Sequence, residues 1–313
     1  MKFDIVAAGY PSIDHILPVS RAPKPGETGI ILEPPRLETL NLGGCAPNIA
    51  VAGARMGLKT AVIILVGEDP DGQAMISVLN QEGVNTQFGV QVVPNGNTAH
   101  SFLFVDPESR HQTFYYPGVS DCEEIKLRLE KHAQAKWGVI TVGNAQHNRS
   151  ALNWMVENKV SILWSHRNDS RAFPDDLIVH LAGVSKIVVL NNHEAQAIKE
   201  TLEIDSIAEL LEYGPQAIIL TKGAQGSQII TADDIIEIPA VAPNRMLDPT
   251  GAGDAFTAGV LLGLQHEFPL NICCQLGAVV SSFVIEAWGC QTNLPKLAEI
   301  KARYHQSFGE LDL

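Results

Sequence analysis

The sequence predicts an α/β protein with a mostly parallel central sheet and helices on both faces. In its second half, short apolar runs alternate with segments of helical pattern, as in repeated strand–helix units. The strand candidates are apolar along most of their length, which is typical of strands buried on both faces. A Pro-rich segment at about 12–40 and two alternating segments within about 95–118 interrupt this pattern and predict a small separate β-sheet.

The elements of the first half follow from their boundary residues. The apolar run 3–9 ends in Gly and predicts a buried first strand. Pro47 suits a first helical turn and Gly57 a helix end, which predicts a helix over about 47–56. The next predicted elements are a strand at about 60–66, a helix at about 71–82 and a hairpin formed by 98–106 and 111–116.

From residue 121 onward, helical and strand patterns alternate. The predicted strands are 137–143, 160–164, 186–191 and 217–221, followed by a β pair at 226–231 and 234–240. After Gly253 the chain is predicted to be helical to its end, with breaks at Pro269 and Pro295. No repeat or low-complexity linker divides the sequence, so we expect one domain over 1–313.

Composition excludes several classes of protein. With 22 Lys and Arg against 35 Asp and Glu, the net charge is −13, which argues against nucleic-acid and anionic-membrane surfaces. The five cysteines have no C-x-x-C spacing, so we expect neither a zinc knuckle nor a disulfide framework, and a reducing compartment fits best. No apolar run approaches the ~20 residues of a membrane span, and the N-terminus lacks the features of a signal peptide. We therefore expect a cytoplasmic protein.

The segment 247–263, LDPTGAGDAFTAGVLLG, carries the strongest chemical signal. Small residues before an apolar helix leave backbone N–H groups accessible, and the helix dipole favours an anion there. Asp254 lies in the first turn of this helix. It has two interpretations: a residue that stabilises the helix dipole, or a base that accepts a proton from a hydroxyl during phosphoryl transfer.

This segment resembles the C-terminal signature of the PfkB/ribokinase family of kinases. The resemblance implies a ribokinase-like fold, with Asp254 as the catalytic base and the amides of Gly251, Ala252 and Gly253 as the anion hole. Pro249 stands where family members often have Thr or Ser. That departure affects the turn and leaves the reacting groups unchanged.

A second family signature, a Gly-Gly pair followed by Asn at the start of a helix, matches Gly43, Gly44 and Asn48. The resemblance assigns them, together with Asp14, to the hydroxyls of the acceptor. Their structural interpretations are a tight turn before a helix and a turn residue after a strand. Asn144, which follows another predicted strand, is a further candidate for acceptor binding.

Two more matches concern the nucleotide. Asn191 and Glu194 fit the family's N-x-x-E element, which organises Mg²⁺ and the phosphates through water, although Asn191 could equally cap a helix. Thr221, Gly223 and Gly226 resemble the turn that contacts the nucleotide.

The C-terminal part of the family pattern implies a cation site. There the resemblance implies that Asp248, Thr250 and Gly289 frame the nucleotide and a monovalent cation such as K⁺. The motif EAWGCQTNLP is similar to that of some prokaryotic nucleoside kinases.

The resemblance implies an ATP- and Mg²⁺-dependent phosphotransferase acting on the hydroxymethyl group of a sugar. The alternatives are a ribonucleoside kinase, a phosphosugar kinase, for which Arg167 and Arg171 supply cations, and a sensing homologue without turnover. The small sheet should act as a lid and as the surface of a homodimer. Five aromatic residues on the lid could form a slot for a nucleobase or pack within the lid itself; they are Phe102, Phe104, Phe114, Tyr115 and Tyr116.

Overall fold

The computed structural model describes residues 1–24, 26–34, 40–107 and 111–311. The strands found there are β1 (Lys2–Ala8), β2 (Ser12–Pro18), β3 (Leu42–Gly43), β4 (Thr60–Gly67), β5 (Asn85–Val93), β6 (His100–Val105), β7 (His111–Tyr116), β8 (Gln134–Ile140), β9 (Ser161–Ser165), β10 (Ile187–Asn191), β11 (Ala217–Thr221), β12 (Ser227–Ile230) and β13 (Ile235–Ile238). The α-helices are α1 (Cys45–Arg55), α2 (Pro70–Gln81), α3 (Ala145–Glu157), α4 (Asp175–Val184), α5 (Asn192–Leu202), α6 (Ala252–Gln265), α7 (Leu270–Val284) and α8 (Leu297–Phe308).

The central sheet has the strand order β13-β12-β11-β10-β9-β8-β1-β4-β5. The strands from β11 to β5 in this order are parallel, while β12 and β13 form an antiparallel edge. Strand β1 pairs with β4 on one side and with β8 on the other. Open α/β sheets bind ligands beyond the carboxyl ends of their strands, where the strand order changes direction in this way.

Both faces of the central sheet are covered. Alternate residues of β1, such as Ile5 and Val6, enter two different hydrophobic clusters. Ile5 packs in the cluster that contains the buried residues of α1, α6 and α7, whereas Val6 packs with those of α3, α4 and α5. The predicted α/β class, with a mostly parallel sheet between two helical layers, is therefore confirmed.

A small sheet of order β3-β2-β6-β7 lies apart from the central one. Its strands come from the two segments predicted at about 12–40 and 95–118, together with Leu42–Gly43. Residue 25 and residues 35–39 of the first segment, and residues 108–110 of the second, lie outside the described residues. Asp69 at the start of α2 ties this sheet to the central body, because its carboxylate accepts hydrogen bonds from the N–H (2.7 Å) and the hydroxyl (2.6 Å) of Thr98.

Two local features differ from the sequence prediction. Strand β5 is not predicted, because Gly89 and neighbouring polar residues interrupt its apolar pattern; as an edge strand it needs only β4 as a partner. The prediction of a helix after residue 121 is wrong, because residues 122–133, all of them described, form no helix. Ile125, Leu127 and Leu129 alternate with exposed residues, and this two-residue period is that of extended chain.

The described helices give no sign of a membrane span, since none of them joins sufficient length to sufficient apolar character. Helix α7 packs against β12 and β13, and α8 packs against α7. Pro269 precedes α7 as predicted, and residues 285–296 separate α7 from α8.

Helices α6 and α7 approach each other backbone to backbone. A Cβ atom added at Gly259 of α6 would lie 2.7 Å from Gly277 Cα and 2.7 Å from the Leu276 carbonyl oxygen. Neither neighbour is the flexible end of a side chain. This contact therefore fixes the distance of α6 from α7.

We expect Gly259→Ala to lower the free energy of unfolding by about 1–3 kcal/mol, because the two helices must separate to admit the methyl group. Urea unfolding followed by circular dichroism measures the change. As a control, Gly183→Ala in α4 meets no atom within 4 Å. That substitution should be neutral or stabilise the protein by up to about 1 kcal/mol. Equal effects of the two substitutions would contradict the close contact.

Candidate active site

A cleft of about 950 Å³ opens between the carboxyl ends of the central strands and the small sheet. Its walls come from the end of β1, the loop after β9, the start of α5, the turn after β11 and the N-terminus of α6. The small sheet adds one face of β2, β6 and β7. The predicted site residues that line the cleft are Asp14, Gly44, Asn48, Asn191, Glu194, Thr221, Gly223, Thr250, Gly251, Gly253 and Asp254.

The N-terminus of α6 is shaped by glycines. Gly251 has a φ of 80°, and a Cβ atom there would lie 2.7 Å from Cys290 Cβ. A Cβ at Gly253 would lie 3.1 Å from a guanidinium nitrogen of Arg167. Gly251 and Gly253 line the cleft, whereas the amide of Ala252 donates to the Pro249 carbonyl at 3.1 Å. The structure thus brings two of the three predicted anion-hole residues into the cleft.

Asp254, in the first turn of α6, is only 4% exposed. Asn48 of α1 donates from Nδ2 to Asp254 Oδ2 at 2.9 Å, and Arg167 donates from Nη2 to Asp254 Oδ1 at 2.9 Å. Gln291 in turn donates to Asn48 Oδ1 at 2.9 Å. Two of the family signatures, separated by about 200 residues in the chain, therefore meet at one carboxylate.

Asp14 lies in β2 on the opposite wall and is 4% exposed. Burial raises the pKa of Asp14 to about 6, even though the hydroxyl of Ser12 and the thiol of Cys290 donate to its carboxylate. A Cβ atom at Gly43 would lie 2.0 Å from Asp14 Oδ2, and Gly44 has a φ of 86°. The Gly-Gly pair is therefore needed to admit the Asp14 side chain and to turn the chain into α1.

Asn191 and Glu194 form a capping box at the start of α5. Asn191 Oδ1 accepts from the Glu194 N–H at 3.0 Å, and Glu194 Oε2 accepts from the Asn191 N–H at 2.7 Å. Burial raises the pKa of Glu194, although the nearby Arg167 opposes this shift. The cap uses the amide oxygen of Asn191, so Glu194 Oε1, which faces the cleft 3.9 Å from Arg167 Nη1, is the oxygen left for a solvated ion.

These residues suit a hydrated Mg²⁺ rather than a tightly coordinated metal. Among the described residues, no group of three or more His, Cys, Asp or Glu side chains is placed to hold a metal ion. Mg²⁺ usually keeps several waters and is bound through one or two carboxylates and the substrate phosphates. The single carboxylate of Glu194 beside the cleft fits that mode.

The remaining predicted residues have mostly structural contacts. Asp248 is fully buried, and its carboxylate accepts from the Thr250 N–H at 2.9 Å and the Gly289 N–H at 3.0 Å. It therefore joins the two loops predicted to frame a monovalent cation. The Thr250 hydroxyl is buried with no hydrogen-bond partner among the described residues, which leaves one oxygen free for such an ion.

Asn144 and Gly226 lie outside the lining of the large cleft. Asn144 caps α3, with its Oδ1 accepting from the N–H groups of Gln146 (2.9 Å) and His147 (3.2 Å). Gly226 has a φ of 91° at the turn into β12, where a Cβ atom would lie 2.0 Å from the Ile238 carbonyl oxygen. Capping of α3 accounts for Asn144, and the tight turn into β12 accounts for Gly226.

Strand alternation places the aromatic residues of the small sheet on its two different faces. Tyr115 faces the cleft, together with Leu103. Phe102 stacks on His15 with ring centroids 4.8 Å apart, and Phe114 and Tyr116 are 61% and 47% exposed on the other face. Four of the five candidates, Phe104 included, therefore belong to the packing and surface of the small sheet.

Sequence reasoning missed the partners of the central carboxylate. It noted Arg167 only as a cation after a strand, and it assigned no role to Gln291, Cys290 or Tyr10. Although burial alone would lower it, the neighbouring Cys45, Asp254 and Glu194 raise the pKa of Arg167 overall, so this side chain is a permanent cation. The position of Arg167 just after β9 was the available signal, since ligands collect at such strand ends.

The fold and this cleft are those of a kinase, an enzyme that transfers a phosphoryl group. A model described as pfkB family carbohydrate kinase matches residues 2–297, and the chain belongs to that family. The predicted family and enzyme class are confirmed.

Individual relatives are similar over nearly the whole chain. A nucleoside kinase of Methanothermobacter thermautotrophicus is 28% identical over 98% of this chain and 97% of its own. A ribokinase of Schizosaccharomyces pombe is 25% identical over 96% of this chain and 98% of its own. The crystal structure of a Methanocaldococcus jannaschii nucleoside kinase, an archaeal member of the ribokinase family, matches with a TM-score of 0.85 at 26% identity, covering 97% of this chain and 98% of that one. The ribokinase-like fold is confirmed.

The buried carboxyl of Asp14 makes stability depend on pH. Because its pKa is raised from 3.8 to about 6 in the folded protein, ionised Asp14 costs folding free energy above pH 6, and this cost fades as the pH falls towards 4. Asp14→Asn should therefore raise the free energy of unfolding by up to about 3 kcal/mol at pH 7.5. This increase in the free energy of unfolding should be smaller at pH 4.5. Urea unfolding at both pH values measures the increase.

Asp233→Asn is the matched control, since Asp233 is exposed between β12 and β13. It should keep the stability of the wild type at both pH values. A loss of stability on Asp14→Asn at pH 7.5, or a gain that does not vary with pH, would contradict the burial argument.

Proposed function

We propose that the protein is an ATP-dependent ribonucleoside kinase that phosphorylates the hydroxymethyl group of the ribose. One observation carries this choice among the sugar, phosphosugar and nucleoside acceptors. Asp14, Ser101 and Tyr115 are register partners on three adjacent strands, β2, β6 and β7, and all three line the cleft. Asp14, which can bind hydroxyls, therefore lies two strands away from an aromatic wall formed by Tyr115. The spacing of strands makes this distance about 10 Å.

The aromatic wall forms one side of a slot on which a planar ring can stack, since its two tyrosine rings pack against each other. Tyr10 and Tyr115 have ring centroids 5.1 Å apart, and Leu103 lies beside them in the cleft lining. The Tyr115 hydroxyl donates to the Pro11 carbonyl at 3.2 Å, and the Tyr10 hydroxyl donates to Asp121, so both rings are held in place. Asn168 and Asp169 line the cleft with polar edges that suit the hydrogen-bonding groups of a base.

The acceptor is bound and activated by side chains of both walls. Asp14 accepts hydrogen bonds from the ribose hydroxyls, and Asn48 positions the acceptor beside Asp254. Asp254 accepts the proton of the hydroxymethyl group as its oxygen forms a bond to the γ-phosphorus of ATP. The bond from that phosphorus to the β,γ-bridging oxygen breaks, and ADP leaves.

The charge that develops on the phosphoryl group is stabilised by the start of α6. The amides of Gly251 and Gly253 and the helix dipole provide a positive potential there. Glu194, with Asn191 behind it, would hold Mg²⁺ through water, and the ion supplies charge neutralisation on the phosphates when bound. Thr221 and Gly223 would contact the nucleotide from the turn that Gly226 closes, and Asp248, Thr250 and Gly289 would frame a monovalent cation.

The small sheet acts as a lid. Phosphoryl transfer to water must be prevented, and closure of the small sheet over the cleft would exclude water from the reacting groups. The homodimer through the exposed face of this sheet stays a prediction, which light scattering of the purified protein would test.

A coupled ADP-release assay with MgATP tests the acceptor class. The panel contains ribose, fructose, sugar phosphates, adenosine, inosine and cytidine, each with and without K⁺. We expect turnover with nucleosides at kcat/KM values well above those with free sugars. Preferred turnover of a sugar or a sugar phosphate would overturn the nucleoside assignment while leaving the kinase intact.

Asp254→Asn should lower kcat by about 100- to 10,000-fold, because Asn cannot accept the proton. The same assay measures kcat, and thermal unfolding verifies that the variant is folded. Asp233→Asn, the exposed control, should retain the activity of the wild type. Turnover of Asp254→Asn near the wild-type rate would rule out the proposed base.

Tyr115→Ala should raise KM for nucleosides about tenfold, because one wall of the slot is lost. Its effect on ribose turnover should be small. Phe114→Ala changes a neighbouring aromatic residue on the opposite, exposed face of β7. It should leave both the KM for nucleosides and the turnover of ribose unchanged. If both acceptors were affected equally by Tyr115→Ala, the slot would not be a base-binding surface.

A further inference from the structure

Arg167 lies between two buried carboxylates of the cleft, those of Asp254 and Glu194. Its Nη2 donates to Asp254 Oδ1 at 2.9 Å, and its Nη1 lies 3.9 Å from Glu194 Oε1. Nη1 also donates to the backbone carbonyl of His166 at 2.8 Å and reaches the Ser165 hydroxyl at 3.4 Å. Its side chain is 26% exposed and lines the cleft.

The contact with Asp254 opposes the proposed chemistry. Both oxygens of the carboxylate already accept a hydrogen bond, because Arg167 donates to Oδ1 and Asn48 donates to Oδ2, so an acceptor hydroxyl has to compete with these donors. The pairing is therefore suited to the resting cleft and not to the moment of transfer.

The alternative position for the guanidinium is close by. The absence of a side chain at Gly253 leaves Arg167 against the backbone of the first turn of α6, since a Cβ there would lie 3.1 Å from Nη2. That turn is where the transferring phosphoryl group would be stabilised. A planar guanidinium matches the oxygens of a phosphoryl group in two parallel hydrogen bonds.

We propose that Arg167 is a catalytic cation that pairs with Asp254 in the resting protein and transfers its hydrogen bonds to the γ-phosphoryl group of bound ATP. This inference rests on the proposed kinase mechanism and adds to it a residue that couples the two substrates. Arrival of the γ-phosphate draws the guanidinium away from Asp254 and frees Oδ1 for the acceptor hydroxyl. The base is thus released only when the phosphoryl donor is present.

The first test compares Arg167→Gln with Arg167→Lys in the coupled assay. Arg167→Gln should lower kcat about 100- to 1,000-fold, with much smaller changes in KM for the acceptor. Arg167→Lys should recover about tenfold of that loss, because it restores the charge without the planar fork. The matched control is Arg149→Gln, which removes an arginine of similar exposure that pairs with Asp176 outside the cleft. It should behave as the wild type.

The second test does not require turnover. Isothermal titration calorimetry measures the binding of Mg-ADP and of a non-hydrolysable Mg-ATP analogue to the wild type and to Arg167→Gln. Arg167→Gln should weaken the analogue about tenfold and leave ADP affinity unchanged, since only the analogue carries a γ-phosphate. Thermal unfolding checks that each variant is folded.

The outcomes separate the two proposals. Equal losses of affinity for ADP and the analogue, or a kcat for Arg167→Gln at or above the wild-type value, would overturn the role of Arg167. Failure of the wild type to turn over any acceptor would overturn the nucleoside kinase proposal. In that case the difference in affinity between ADP and the analogue still decides whether Arg167 binds a γ-phosphate.

Discussion

The cleft is organised around one buried carboxylate with two hydrogen-bonded partners. Asp254 connects α6 to α1 through Asn48 and to the loop after β9 through Arg167. A buried charge is tolerated only when it is paired and hydrogen-bonded, and this one has both kinds of partner. Because the three elements come from distant parts of the chain, the position of this carboxylate depends on the central sheet being correctly assembled.

The opposite wall of the cleft contains another buried carboxyl group, that of Asp14. Asp14 has donors from Ser12 and Cys290 but no cation among its described contacts, and burial leaves its pKa raised. The free energy lost by burying this group is offset by the hydrophobic packing of the central sheet. A carboxyl held in this way is ready to accept hydrogen bonds from an acceptor that supplies new donors. Stability and ligand binding therefore make opposite demands on the same side chain.

Sequence patterns predicted the parts of the fold that local residues decide. The apolar strands, the Gly-Gly turn and the α6 segment all carry their conformation in neighbouring residues, and each was placed correctly except β8, which was predicted at 137–143 and lies at Gln134–Ile140. The failures have physical causes. Residues 122–133 contain good helix formers, but packing selected the two-residue period of Ile125, Leu127 and Leu129. The pairing of Arg167 with Asp254 joins residues 87 positions apart, and no local pattern encodes it. The orientation of the aromatic residues of the small sheet followed from strand alternation and could have been deduced before the structure.

The glycine contact between α6 and α7 limits how this cleft can change during evolution. Helix α6 holds Asp254 at one end and touches the backbone of α7 at Gly259, with no side chain between them that could become smaller. Substitutions in the core therefore have little means of moving Asp254, the proposed base, relative to the cleft. A larger or smaller acceptor has to be accommodated by the small sheet and the loop after β9, whose side chains also line the cleft. Divergence in acceptor choice within such a scaffold should be concentrated in those two segments, while the helix pair stays in place.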